Sequence, residues 1–83
     1  MPYIKRNRRQ EVDPIIELMQ KSEIKADGDL NYILFAYCKG CVKPSYNNYK
    51  NFIGELRQCA TEIERRLLAK YEDEKIIENG DVD

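Results

Sequence analysis

Histidine and tryptophan are absent from this 83-residue chain, and cysteine, proline and methionine number only three, three and two. Without histidine, no Ser-His-Asp or Cys-His pair, no His₃ zinc site and no ordinary near-neutral acid/base group can be assembled. Three cysteines are an odd number, which suits a reducing compartment better than a disulfide scaffold. Long apolar runs are missing too. The longest strictly apolar stretch, Ile33-Leu34-Phe35-Ala36, falls far short of the roughly 20 residues of a membrane span. The opening Met1-Pro2-Tyr3-Ile4 lacks the apolar core of a signal peptide. These absences lead to the expectation of a cytoplasmic protein with no membrane partner. Period-two alternation over five or more residues is also lacking, so no strand pattern competes with helix. The fold class expected is all-α.

Charge is plentiful but unevenly placed. The 14 basic and 15 acidic residues sum to a net charge of −1, which gives no bulk attraction to polyanions. Lys5, Arg6, Arg8 and Arg9 nevertheless fall within the first nine residues with no acid among them. At the other end, Glu72, Asp73, Glu74, Glu78, Asp81 and Asp83 are opposed only by Lys75. The expectation is one helical domain over residues 1–83, with a basic arm at 1–9 and an acidic tail at 72–83. Tyr3 and Ile4 would pin the arm to the body.

Helical spacing organises the middle. Val12, Ile15, Ile16 and Met19 recur at threes and fours, and Asp13-Pro14 reads as N-cap followed by first helical residue. Gly28 reads as a hinge and Asp29 as the cap of a second helix, Leu30 to about Lys39, which Gly40 ends. Its apolar face would carry Leu30, Ile33, Leu34, Tyr37, Cys38 and Cys41. After Lys43-Pro44, Ser45 is a strong N-cap. From Tyr46 a third helix reads on for about 27 residues, roughly 40 Å at 1.5 Å per residue. Tyr49, Phe52, Ile53, Leu56, Cys59, Ala60, Ile63, Leu67 and Tyr71 trace its stripe. Beyond Tyr71 a frayed turn and an extended end are expected, with Ile76, Ile77 and Val82 folding back on the body. The architecture expected is two short helices packed along one long C-terminal helix. Because neither short helix matches the long one, its uncovered part invites self-association.

Three patterns resemble chemical motifs. Cys38-Lys39-Gly40-Cys41 is a C-x-x-C, but zinc needs four ligands and only Cys59 remains to offer a third thiolate. A redox pair would need a strand before it and a helix after it, whereas this pair closes a helix. The bland reading is three small apolar side chains packed in a core. Asp27-Gly28-Asp29-Leu30-Asn31 opens like an EF-hand loop, yet the sixth position is Tyr32 and the twelfth Cys38, where Gly and Glu are required. Helix capping explains these acids without calcium. No cofactor and no metal site is expected. The third pattern is the group Tyr46, Tyr49 and Phe52, with Tyr71 further on, interleaved with Lys43, Lys50 and Arg57. A core this small holds eight aromatics with difficulty, so Tyr46, Tyr49, Phe52 and Tyr71 are candidate interface residues. The competing use is stacking on nucleic-acid bases, with Lys5, Arg6, Arg8 and Arg9 as phosphate contacts.

Met1-Pro-Tyr-Ile-Lys5, Asp27-Gly-Asp-Leu-Asn-Tyr32 with Pro44-Ser-Tyr46, and Tyr71-Glu-Asp-Glu-Lys-Ile76 leading into Glu78-Asn-Gly-Asp-Val82 form a distinctive set. Taken together, the chain resembles a family of small uncharacterised archaeal and bacterial proteins of about 80–90 residues. The resemblance covers essentially the whole chain. It implies a compact, intracellular helical protein of unknown function and brings no catalytic or binding residues with it. The reading is therefore a non-enzymatic protein-interaction or self-assembly module, a homo-oligomer whose protein partner is unknown. The alternative is a nucleic-acid-binding accessory protein.

Overall fold

The computed structural model describes residues 4–82. It is 81% helical and contains no strand among the described residues, which places the chain in the all-α class. The chain divides into two units at the Val42–Lys43 bond.

The first unit carries helix α1, Arg6–Lys21, and helix α2, Gly28–Cys41. Helix α1 starts a full two turns before Asp13-Pro14. The Lys5 carbonyl accepts the amides of Arg8 and Arg9 at 3.0 and 3.1 Å, and Arg8 forms an ion pair with Glu11 one turn on. Arg, Gln and Glu are good helix formers, and their summed preference over 6–11 outweighs the start signal of a single proline. Pro14 consequently lies inside the helix. There it has no N–H for the Gln10 carbonyl, a defect worth about 3 kcal/mol in a helix interior. Arg6, Arg8 and Arg9 are thus helical residues at the positive end of the α1 dipole, not an extended arm, and no acid shares that first turn. The anchoring role expected of Tyr3 lies outside the described residues.

A Schellman motif closes α1. Ser22 is the C-cap, Glu23 stands in the left-handed region at φ 55°, and the amides of Glu23 and Ile24 donate to Gln20 and Met19 at 3.1 and 3.2 Å. Helix α2 is capped by Asp27, not Asp29: an Asp27 carboxylate oxygen accepts the Asp29 amide at 3.1 Å. Asp29 sits in the first turn, where its charge complements the dipole. The helix passes through Gly40 and stops at Cys41, with Val42 extended at φ −93° and ψ 123°. Val12, Met19, Leu30, Ile33, Leu34 and Cys38 are half-buried, whereas Ile15 and Ile16, expected beside Val12, are exposed.

The second unit is one long helix. It runs as α3, Tyr46–Ile63, then a π-helical stretch, Glu64–Leu68, then α4, Ala69–Asn79, about 34 residues in all. Ser45 caps it as the sequence indicates: its hydroxyl accepts the Asn48 amide at 2.9 Å, and the Asn48 side-chain amide returns to the Lys43 carbonyl at 2.9 Å. The helix continues past Tyr71, so residues 72–79 neither fray nor fold back. No glycine or proline interrupts 55–79, and Lys75 pairs with Glu78 at 2.9 Å within the last turns. Gly80 ends it at φ 82°, donating its amide to the Ile76 carbonyl at 2.8 Å.

Candidate helix interface

Along α3 and into the π-helical stretch, Tyr49, Ile53, Leu56, Ala60, Ile63 and Leu67 follow one another at intervals of four, three, four, three and four. That is the a/d spacing of a coiled-coil seam, in which residues every 3.5 positions stay on one line of the helix. A helix in isolation gains little from propensity, so a seam of this kind is stable only when another surface covers it. In this structure it lies open: Ile53 is 45% exposed, Ile63 49% and Leu67 65%.

The seam changes phase at the π-helical stretch. The Ala69 amide donates to the Glu64 carbonyl, an i→i+5 bond that puts one extra residue into the turn. Continuing in threes and fours from Leu67 would bring Lys70 and Glu74 onto the seam. One extra residue, worth about 100° of helix rotation, brings Leu68 and Tyr71 there instead. Glu62 sits just before the slip and holds Arg65 at 3.1 Å and Arg66 at 3.8 Å.

At the N-terminal end, Tyr46, Tyr49, Lys50, Ile53, Gly54 and Arg57 line a shallow groove of about 430 Å³. The Lys50 ammonium stands 6.0 Å from the centroid of the Tyr46 ring, at the edge of cation–π range. Tyr46 is 81% exposed, far more than a core tyrosine. A Cβ built on Gly54 would meet nothing within 4 Å, so no contact described here requires glycine at that place. At the other end the Lys75 ammonium lies 5.5 Å from the Tyr71 ring.

The sequence-predicted residues therefore fall into separate groups. Tyr46 and Tyr49 line the groove, Phe52 is half-buried one turn on, and Tyr71 lies on the same helix beyond the phase change. Lys5, Arg6, Arg8 and Arg9 belong to the other unit. Arg8 there is committed to Glu11, and Arg9 donates to the Ile4 carbonyl at 3.4 Å. Cys38 and Cys41 lie in the last turns of α2 and Cys59 on α3, with Cys41 and Cys59 exposed where core packing was expected. Among the described residues no group of three or more Cys, Asp or Glu side chains is arranged to hold a metal ion. No described helix is long and apolar enough to cross a membrane. All six seam residues stand in the stripe read from the sequence, where Phe52 and Cys59 blur the line; the four-three spacing is the signal that isolates it.

A family model for a domain of unknown function, DUF6899, matches residues 1–82. The chain belongs to that family. The DUF6899 match spans both units, so the capped helix pair and the long helix are parts of one family pattern. No curated protein matches the chain, and no solved structure does.

Proposed function

We propose that this DUF6899 chain is a non-enzymatic protein-interaction module that works by offering the seam of its long helix to another helix. The observation that supports the reading is the four-three row from Tyr49 to Leu67, which is regular, apolar and exposed. Helix-in-groove and coiled-coil recognition use this pattern, with anchors one helical turn apart. Tyr46, Tyr49, Phe52 and Tyr71 serve as its aromatic contacts, in keeping with the enrichment of tyrosine at the centre of interfaces. The absence of histidine supports a non-enzymatic role.

The test is retention of proteins from a native extract, with and without nuclease treatment, by the full chain and by the Leu56→Asp/Ile63→Asp variant. Circular dichroism of both is recorded alongside. The expected result is a defined set of proteins held by the natural chain and lost by the variant. Equal retention by both chains overturns the reading. Retention that disappears on nuclease treatment points instead to nucleic acid.

A further inference from the structure

The two ends of the long helix differ in the sign of their charge. Over 46–57, Lys50 and Arg57 against Glu55 leave the N-terminal part basic, while over 68–79 Glu72, Asp73, Glu74 and Glu78 against Lys70 and Lys75 leave the C-terminal part acidic. A helix laid on it in parallel with the same charge order would set base against base and acid against acid. The same helix reversed sets each end against its complement. Length points the same way: α1 and α2 have 16 and 14 residues, each less than half of the roughly 34 in the long helix. The element of this chain whose length and charge order both fit the seam is the long helix of a second copy.

We infer that the long helix binds a second copy of itself in antiparallel order, centred between Thr61 and Glu62. This rests on the helix-interaction reading above and names its partner. With that centre Ala60 lies against Ile63 of the second copy, the a-against-d pairing that antiparallel coiled coils require. Past the extra residue the matching position moves on by one, so Leu56 meets Leu68 of the second copy and Ile53 meets its Tyr71. Lys50 and Arg57, each one position past a seam residue, come on the same flank as Glu72 and Glu64 of the second copy. Ile53, at 45% exposure, and Tyr71, at 56%, thereby gain a partner. Because the pairing is two-fold symmetric, each such contact is made twice.

Sedimentation equilibrium of the purified full chain, from about 1 µM to about 500 µM, reads the association directly. A monomer–dimer equilibrium is expected. The Lys50→Glu/Arg57→Glu variant should raise the dissociation constant by about tenfold or more, as should Glu64→Lys/Glu72→Lys. An equimolar mixture of the two should associate about as well as the natural chain. These are exposed positions, so the variants retain the helix where a seam substitution could melt it. Orientation is read by oxidising single-cysteine chains made with Cys38, Cys41 and Cys59 changed to Ser. Ile53→Cys mixed with Tyr71→Cys should give the mixed disulfide, and Ile53→Cys alone should give none. A monomer throughout the range overturns the inference. So does a dimer that crosslinks Ile53→Cys to itself, or one indifferent to the charge variants. If the chain is monomeric while the Leu56→Asp/Ile63→Asp variant still loses proteins from the extract, the interaction reading survives and the second copy falls. If neither is seen, both fall.

Discussion

The Ile24 amide donates to the Met19 carbonyl at 3.2 Å, reaching over Glu23, which is held at φ 55° to let it pass. The bond closes α1, and it needs a residue in the left-handed region. Glycine takes that conformation without the Cβ clash that a glutamate suffers. Glu23→Gly should therefore stabilise the first unit by about 0.5–1 kcal/mol, the relief of strain exceeding the extra entropy of the unfolded chain. Thermal melts of the two chains at equal concentration test this, and an unchanged or lower midpoint counts against the motif.

Pro14 offers the second prediction. It sits eight residues beyond the first residue of α1, where its ring leaves the Gln10 carbonyl without an amide. Pro14→Ala should restore that bond and add about 3 kcal/mol to α1, minus the entropy that proline removes from the unfolded chain. Amide exchange across residues 8–20 should slow. Faster exchange there would mean that the helix begins after the proline and not at Arg6.

Much of the fold could be read from short-range chemistry. Ser45 and Gly80 act through their own backbone neighbours, so their roles as start and stop signals are visible in isolation. Asp27 and Asp29 share a cap and a dipole partner, and the sequence alone does not say which does which. Pro14 and Gly40 mislead because each is only one term in a sum. Five good helix formers, Arg6, Arg8, Arg9, Gln10 and Glu11, precede the proline, and a glycine in a helix costs only about 1 kcal/mol. The stop after Cys41 belongs instead to Pro44, which disfavours the helical region at Lys43. The tail misleads because a run of acids looks solvated, yet glutamate is a good helix former and no glycine or proline falls between Glu55 and Asn79. The candidate interface was half legible: its aromatics stand out by type, whereas its seam is a matter of spacing. The i→i+5 turn has no residue signature at all.

Cys59 gives a third prediction, a probe of the seam that needs no substitution. It lies one position before Ala60 and is exposed, as is Cys41, while Cys38 is half-buried. Thiol labelling of dilute protein should modify Cys41 and Cys59 quickly and Cys38 more slowly. As the concentration rises, a helix laid along Ala60 should slow labelling of Cys59 alone. Mass spectrometry of the labelled peptides separates the three. Labelling of Cys59 at one rate over the whole concentration range would show that this line of the helix stays bare.

The extra residue in the turn at Glu64–Leu68 has a consequence for partner choice. Without it, a straight helix lying along Tyr49 to Leu67 would run on over Lys70 and Glu74. With it, the same straight helix meets Leu68 and Tyr71, because the turn adds back the rotation of about 100° by which the apolar row slips in the sequence. The irregular turn is thus a repair: replaced by a regular α-turn, it would leave any helix beside it facing charge past Leu67.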